Sequence, residues 1–150
     1  MKRVVLFLSA LAVLTACGDN LSSQQEKAGR AATAFAEAYF NYELSKAAGL
    51  TTPETKKWIS FAASGLTQED VDVLNTRSEA ATVTLTACEM VGDTVCEACI
   101  VVDNYLAADS IGRPLQLRSD DDFRLTLVLR DGRWLVRMAG LPRSEKRSRD

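Results

Sequence analysis

Residues 23–48 place apolar side chains at steps of three and four positions, the spacing of one face of an α-helix. The apolar positions are Ala28, Ala32, Phe35, Tyr39 and Tyr42. Ser23 followed by Glu26 is typical of a capping box at a helix start, and Gly49 suits a left-handed cap at the end. The pattern therefore predicts one long helix from Ser23 to Ala48.

A second, shorter helix is expected next, followed by a further helical turn. Thr52 precedes Pro53, a residue favoured at the first helical position, and Gly65 ends the segment. The face predicted to be buried contains Trp58, Phe61 and Ala62. Thr67 and Asp70 then indicate a further turn of helix. The side chains that this turn would bury are Val71 and Leu74.

From residue 81 the apolar period changes to two, which indicates a β-strand with one buried face. The predicted inward side chains are Ala81, Val83, Leu85 and Ala87. The predicted outward side chains are Thr82, Thr84, Thr86 and Cys88. Gly92-Asp93 offers a two-residue hairpin turn, and residues 95–102 are predicted to return as the partner strand.

A second hairpin is predicted around Asp131-Gly132, because apolar residues alternate on both sides of this turn signal. The alternating residues are Phe123, Leu125, Leu127 and Leu129 before the turn, and Trp134, Val136 and Met138 after it. A two-residue turn would place Leu129 opposite Trp134, Leu127 opposite Val136 and Leu125 opposite Met138. One face of this hairpin is therefore expected to belong to the core.

The order of elements is helix, helix, hairpin, connector, hairpin, and helices on one side of an antiparallel sheet make an α+β roll. With the closing phrase Asp131-Gly132-Arg133-Trp134-Leu135-Val136, this order resembles the NTF2-like, or cystatin-like, superfold over about Ser23 to Leu141. The resemblance implies a long N-terminal helix and shorter helices packed on a curved four-stranded antiparallel sheet. It supplies no detail for the connector from Asp103 to Asp122.

Ahead of these elements, Lys2 and Arg3 precede a 13-residue apolar run from Val4 to Ala16. The layout is typical of a secretory signal, and the run is shorter than the roughly 20 residues that span a bilayer. Its end, Leu14-Thr15-Ala16-Cys17, resembles the lipobox of bacterial lipoproteins. The resemblance implies cleavage between Ala16 and Cys17, diacylglycerol on the Cys17 sulfur, and an acyl chain such as palmitate on its nitrogen. Two acyl chains suffice for stable anchoring.

The expected organisation has four parts: a lipoprotein signal peptide (1–16), a lipidated tether (17–22), an NTF2-like α+β domain (23–141) and a disordered basic tail (142–150). By resemblance to enteric lipoproteins, Gly18 after the modified cysteine implies an outer-membrane location facing the periplasm. The tetrapeptide Leu-Thr-Ala-Cys recurs at residues 85–88. No basic and apolar segment precedes this second copy, so we expect only a strand there.

Composition narrows the classes of function. The chain has 18 basic and 20 acidic residues, and removal of Lys2 and Arg3 makes it more acidic, so nucleic acid is not an expected partner. It contains no histidine, which removes Ser-His-Asp and Cys-His arrangements and the commonest metal ligand. We therefore expect no catalytic residue, no metal and no cofactor.

Carboxylate-based proton transfer is the alternative, because isomerases of the same superfold use a Tyr and Asp residues in an apolar cavity. The residues available for it are Tyr39, Tyr42, Asp103 and Tyr105, which packing and a strand end explain more simply. The run Asp120-Asp121-Asp122 raises the question of a calcium site. Consecutive residues do not easily converge on one ion, so we expect a solvated turn.

Three cysteines lie within the domain: Cys88, Cys96 and Cys99. If Gly92-Asp93 is the whole turn, Cys88 lies opposite Glu97. If a three-residue loop is centred on Gly92, Cys88 and Cys96 become direct neighbours and can form a low-strain disulfide, which an exported domain would retain. Free buried thiols are the alternative. Cys96 and Cys99 have redox-motif spacing but would point to opposite faces of a strand, and three cysteines without histidine make a poor zinc site.

The sequence thus indicates a lipid-anchored envelope protein that acts as a non-enzymatic binding module. The polar stripe of Thr82, Thr84 and Thr86 points to an envelope protein bound through the open face of the sheet. One alternative is a small-molecule pocket between helices and sheet, which solid packing of the interior would remove. The side chains concerned are Phe35, Tyr39, Leu127 and Trp134. Another alternative is a structural part of an envelope or secretion assembly.

Overall fold

The computed structural model describes residues 16–107 and 114–146. The helices in this part of the chain are α1 (Ala16–Phe40), α2 (Leu44–Gly49), α3 (Lys56–Ser64) and α4 (Gln68–Thr76), with a 3-10 turn at Pro53–Thr55. The strands there are β1 (Thr82–Met90), β2 (Val95–Asp103), β3 (Tyr105–Ala107), β4 (Gln116–Arg118), β5 (Asp121–Arg130) and β6 (Arg133–Arg137). The α+β class predicted from the sequence is confirmed.

A four-stranded antiparallel sheet in the order β1-β2-β5-β6 forms one layer of the fold, and it does not close on itself. β3 and β4 pair in a separate small sheet. Leu127 lies opposite Val136 and Leu129 opposite Trp134, as the alternating pattern predicts. The residues of the Asp131-Gly132 turn have φ angles of 51° and 76°, the left-handed conformation that joins two twisted strands tightly.

α1 differs from the predicted helix at both ends. It already includes Ala16, the first described residue, so Ser23 lies inside the helix and the predicted capping box is wrong. A residue inside a helix has no free backbone amides beside it to cap. α1 also ends at Phe40 instead of continuing to Ala48, because Tyr42 adopts a left-handed conformation with φ 62°.

Tertiary hydrogen bonds hold this break in place. The Asn41 side chain accepts from the Ala81 amide at 2.9 Å and donates to the Ala81 carbonyl at 3.1 Å. The Tyr42 hydroxyl donates to the Leu106 carbonyl at 2.7 Å. Gly49, predicted as a left-handed cap, is the last residue of α2 and has no positive φ. Helical periodicity carries no information about such distant partners.

α3 and α4 lie where the sequence predicts them, but their buried faces differ from the prediction. In α3 the buried side chain is Ile59, whereas Phe61 is 61% exposed. In α4 the capping box is complete, and the buried Asp70 carboxylate accepts from the Thr67 amide at 2.8 Å. Val71 is 37% exposed, so its predicted burial is wrong. Two turns of helix contain too few apolar residues to determine which face packs inward.

Side chains fill the space between α1 and the sheet. Phe35 and Leu127 are fully buried, and Trp134 is nearly so. The Phe40 ring contacts the rings of Tyr105 and Phe123, with centroids 5.2 Å and 4.7 Å away. Tilted and edge-on aromatic contacts of this kind stabilise a core beyond simple area burial. The region considered for a small-molecule pocket is therefore occupied by the hydrophobic core.

Residues 142–146 pack against β5, which differs from the predicted disordered tail. The hydroxyl of the buried Ser144 donates to the Asp121 carboxylate at 3.1 Å. The Glu145 amide donates to the Asp122 carbonyl at 2.8 Å. These attachments are polar and long-range, so the composition of the segment did not indicate them. Residues 147–150 of the predicted tail lie outside the described residues.

Candidate functional site

A β-bulge in β1 reverses which side chains face the core. Leu85 pairs with the buried Ile100, and the register then shifts between Leu85 and Ala87. After the shift, Cys88 pairs with the buried Ala98 and packs against the core, whereas Ala87 is exposed. The predictions of an inward Ala87 and an outward Cys88 are therefore wrong. A bulge inserts one unpaired residue and so exchanges the two faces of the strand beyond it.

α1 lies antiparallel along β1. The Gln25 side-chain amide donates to the Cys88 carbonyl near the end of the strand, and Asn41 bonds to Ala81 just before its start. Between these contacts the buried Gly29 leaves room for the Leu85 side chain of β1. A Cβ atom at this position would lie 2.8 Å from Leu85 Cδ2. The helix and the strand therefore touch at Gly29.

An open groove with a volume of about 610 Å³ lies between α1 and β1. Its helical wall includes Arg30 and Thr33, and its strand wall includes Leu85 and Cys88. Leu85 is 38% exposed, which leaves an apolar side chain available at the groove. This groove, called the α1/β1 groove below, is the candidate functional site.

The two edges of the four-stranded sheet have different surroundings. At β6, the segment before α3 supplies backbone partners: the Val136 amide donates to the Leu50 carbonyl at 3.0 Å, and the Thr52 amide donates to the Val136 carbonyl at 3.0 Å. The Met138 amide donates to the Thr55 hydroxyl at 2.9 Å. At the opposite edge, β1 pairs with β2 alone within the described residues. An edge of that kind presents backbone groups to which another strand can bond.

The β1–β2 hairpin has neither of the two registers considered from the sequence. The Val91 amide donates to the Val95 carbonyl at 2.8 Å, so the loop has three residues and is centred on Asp93. Met90 therefore lies opposite Cys96. Gly92 occupies the first position of this three-residue loop with φ 82°, a conformation that glycine adopts without strain.

Cys88 and Cys96 nevertheless meet diagonally across the two strands. Their Sγ atoms are 2.6 Å apart, and both are present as thiols. Cys96 is fully buried, while Cys88 is half-buried and lines the α1/β1 groove. Burial, together with the neighbouring Cys88 thiol, raises the pKa of Cys96 to about 12. Cys99 lies opposite Ala87, on the other face of the sheet.

Tyr39 and Tyr42, which were considered for proton transfer, have structural roles. The Tyr39 ring stacks on Phe35 with centroids 5.6 Å apart, and burial raises the pKa of its hydroxyl above the usual range. Burial, followed by the negative charge of Asp70, raises the pKa of Tyr42 to about 12. Both hydroxyls therefore stay protonated near neutral pH, and neither is a useful base there.

Tyr105 and Asp103, the other two residues considered for proton transfer, form hydrogen bonds with different partners. The Tyr105 hydroxyl donates to the buried Asp121 at 2.5 Å, while the Asp103 carboxylate accepts from the Asp120 amide at 2.7 Å. Asp120 is exposed and Asp121 is buried, so the acidic run 120–122 is divided between solvent and core. Among the described residues, no three His, Cys, Asp or Glu side chains are grouped to hold a metal ion.

Ala16 and Cys17, the predicted cleavage and lipidation residues, lie in α1, at the beginning of the described residues. The predicted tether at 17–22 is helical and continuous with the domain. Residues 1–15, which contain the rest of the predicted signal peptide, lie outside the described residues. No helix in the part of the chain that the structure describes is both long and apolar enough to cross a membrane.

The burial of several polar residues was not predicted from the sequence. Thr52 and Thr55 are fully buried, with their hydroxyl oxygens 2.8 Å apart. Asp70 and Asp121 are buried carboxylates, and Asp70 also accepts from the Leu115 amide at 3.2 Å. A capping pattern signalled Asp70, but the sequence contains no signal for the other three.

Searches of protein-family models, curated proteins and solved structures found no match to this chain. The lipoprotein and NTF2-like resemblances therefore stay predictions. The function has to be argued from the residues of the chain itself.

Proposed function

We propose that this protein is a bacterial lipoprotein, anchored through Cys17 at the outer membrane and facing the periplasm, whose domain is a non-enzymatic binding module. Its proposed ligand is an extended segment of an envelope protein, which adds as a further strand to β1. The observation that carries this proposal is the open β1 edge beside the α1/β1 groove. Strand addition uses backbone hydrogen bonds for affinity and neighbouring pockets for side-chain specificity.

The continuity of α1 supports the anchoring part of the proposal. Gln24 accepts from the Trp134 indole at 2.9 Å, which attaches the helix to the start of β6. Cys17 precedes Gln24 by seven residues, a helical rise of about 10 Å. An acylated Cys17 would therefore hold the domain close to the membrane. The β1–β2 and β5–β6 turns, which lie near Gln25 and Gln24, would face the bilayer.

We further propose that the domain is an NTF2-like roll. α1 lies along a four-stranded antiparallel sheet, and the elements follow the order that the resemblance implies. The interior of this roll is filled by buried rings, including Phe35, Phe40 and Phe123. This packing favours binding at the sheet edge over a small-molecule pocket at the centre.

A second copy of this chain is a less suitable occupant of the edge than a foreign segment. A symmetric dimer in which two β1 strands pair antiparallel would point the two α1 N-termini in opposite directions. Two lipid anchors attached to those N-termini could not enter one membrane from the same side. The proposed anchor therefore favours a partner that supplies a strand of its own.

The anchor is tested by cell fractionation of the full chain and its Cys17→Ser variant. The wild type is expected in the membrane fraction with an acylated Cys17 at its N-terminus, as seen by mass spectrometry. The variant is expected to lose both the acyl mass and the membrane association, while a Cys99→Ser control keeps them. A variant that stays equally membrane-bound would overturn the anchoring.

The binding role is tested by placing a photo-crosslinking amino acid at Leu85 in intact cells. Leu117, which is 64% exposed on β4, is the matched control position. An envelope protein should be crosslinked at residue 85 only, and when purified it should slow amide exchange along β1. Absence of an adduct would contradict strand addition, and an adduct between two copies of this chain would replace the foreign partner with a dimer.

A further inference from the structure

The bulge in β1 has a chemical consequence. Without it, the alternation of the strand would point Cys88 away from the core, on the face opposite to Cys96. With it, both thiols face inward, and their Sγ atoms are 2.6 Å apart. This is closer than two sulfur atoms pack without a bond, and slightly longer than the ~2.05 Å of a disulfide.

We propose that Cys88 and Cys96 form a disulfide bond that ties β1 to β2 at the base of the α1/β1 groove. The two residues lie on neighbouring strands whose pairing is already complete, so only a small side-chain adjustment joins them. The bond would fasten the bulged part of the edge strand, where the ladder is interrupted. It would also fix Cys88, whose carbonyl receives the hydrogen bond from Gln25 of α1.

Cys99 is excluded as the partner of either thiol. It is three residues after Cys96 on the same strand and lies on the opposite face of the sheet. A bridge to Cys99 would require β2 to leave its pairing with β1 and β5. Cys99 is therefore expected to remain a free thiol.

Exposure determines the order of the chemical steps. Cys88 lines the groove, so its thiolate attacks the disulfide of a dithiol–disulfide oxidant and displaces one oxidant thiol. The Cys96 sulfur then loses its proton and attacks Cys88 Sγ, which forms the internal bond and releases the second oxidant thiol. Two electrons pass to the oxidant, and the two cysteine protons are matched by two protons gained on its thiols. The burial that raises the pKa of Cys96 makes this second step faster at higher pH.

The compartment required for this bond is the oxidising one that the proposed export supplies. The bond itself does not depend on lipid anchoring. Treatment of purified full-length protein with oxidised glutathione therefore tests the thiol pair even if the protein proves not to be exported. Failure of the pair to oxidise and failure of export are distinguishable results.

The pairing is tested by peptide mapping after alkylation of free thiols. No Lys or Arg lies between Arg77 and Arg113, so trypsin leaves Cys88, Cys96 and Cys99 in one peptide, apart from Cys17. Cleavage after Glu89 and Glu97 then separates them. The expected result is a linked pair carrying Cys88 and Cys96, lighter by two hydrogens than the reduced peptides, with an alkylated Cys99. Three alkylated cysteines after oxidation, or a link to Cys99, would overturn the proposal.

Thermal unfolding supplies a second readout. Addition of reductant should lower the Tm of the oxidised wild type by roughly 5–10 °C, the effect of opening a short disulfide loop in a domain of this size. The Cys99→Ser variant should show the same decrease, and the Cys88→Ser variant should show none. If Cys88→Ser does not fold, the comparison of wild type and Cys99→Ser still decides the matter, because a reductant-insensitive Tm in both would refute the bond.

Discussion

The two edges of the four-stranded sheet illustrate two ways in which a protein can end a sheet. β6 is covered by the segment before α3. This segment forms hydrogen bonds with the amide and the carbonyl of Val136, and its Thr55 hydroxyl accepts a hydrogen bond from the Met138 amide. Among the described residues, β1 has a bulge and an adjacent groove, and β2 is the one strand paired with it. The first edge is thus closed by the chain itself, and the second has no such cover in the described part of the chain.

Under the proposed function, the β6 edge contributes mainly to stability and the β1 edge to binding. An uncovered edge strand exposes a protein to unwanted pairing, and bulges are one means of limiting it. β1 has nine residues and its sole charged residue is Glu89, near its end, so charge gives the edge little protection. We expect substitutions at β6 to affect unfolding most, and substitutions at β1 to affect partner capture.

The largest expected effect is that of Val136→Ala in β6. Val136 is fully buried, so loss of its methyl groups and the resulting cavity should lower the free energy of unfolding by about 2–3 kcal/mol. The matched change Val83→Ala in β1 removes a half-buried side chain and should cost about 1 kcal/mol. Urea unfolding of the two variants makes the comparison, and equal losses would contradict it.

The next effect is that of Thr55→Val, which tests the polar part of the β6 cover. This substitution keeps the volume but leaves the Met138 amide and the Thr52 hydroxyl without their partner, at a cost of about 1–2 kcal/mol. Thr82→Val on the exposed start of β1 is the control and should change stability by less than about 0.5 kcal/mol. An unchanged free energy of unfolding in Thr55→Val would show that the polar contacts of the β6 cover contribute little to stability.

Leu85→Lys should change binding more than stability. Leu85 is partly exposed, and the lysine stem can retain contact with Gly29, so the loss should stay below about 1 kcal/mol. A charged side chain at this edge opposes pairing, so partner capture at β1 should be abolished. Leu117→Lys is the matched control. Undiminished capture by Leu85→Lys would move the binding site away from the groove.

The smallest expected effect concerns the ion pair of Glu54 and Arg130, which fastens the β6 cover to β5. Arg130 Nη1 donates to Glu54 Oε2 at 2.9 Å, and this pairing lowers the pKa of Glu54 to about 2. A lowered pKa in the folded state gives stability that is present above the unfolded pKa, near 4.5, and is lost as the pH falls towards 2. Because both groups are exposed, screening by salt keeps the contribution small.

Glu54→Gln should therefore make the fall in Tm between pH 5 and pH 2 slightly smaller. Arg130→Gln should remove the same part of the pH dependence, and the double variant should add nothing further. An unchanged pH profile in Glu54→Gln would show that the ion pair does not fasten the cover.

Features that depend on residues close together in the sequence were predicted correctly more often than features that depend on distant contacts. The β5–β6 register was predictable because the Asp131-Gly132 turn and the alternating residues beside it are local. The β1–β2 register was not, because the local alternation of apolar residues gives no sign of the bulge after Leu85. The sequence suggested that Cys88 and Cys96 could be neighbours if they lay directly opposite each other. Their Sγ atoms are close for a different reason, because the bulge turns Cys88 to the face that carries Cys96.

The sequence alone determined the class of elements and the last hairpin, because each depends on residues close together in the chain, whereas lipidation at Cys17 stays a prediction. Tertiary structure decided the break at Tyr42, the inward turn of Cys88 and the unequal cover of the two sheet edges. Each of these depends on contacts between segments more than 30 residues apart or on the packing of α1 against the sheet. Local periodicity shows which side chains of a segment are to be buried, but it does not show which distant segment packs against them.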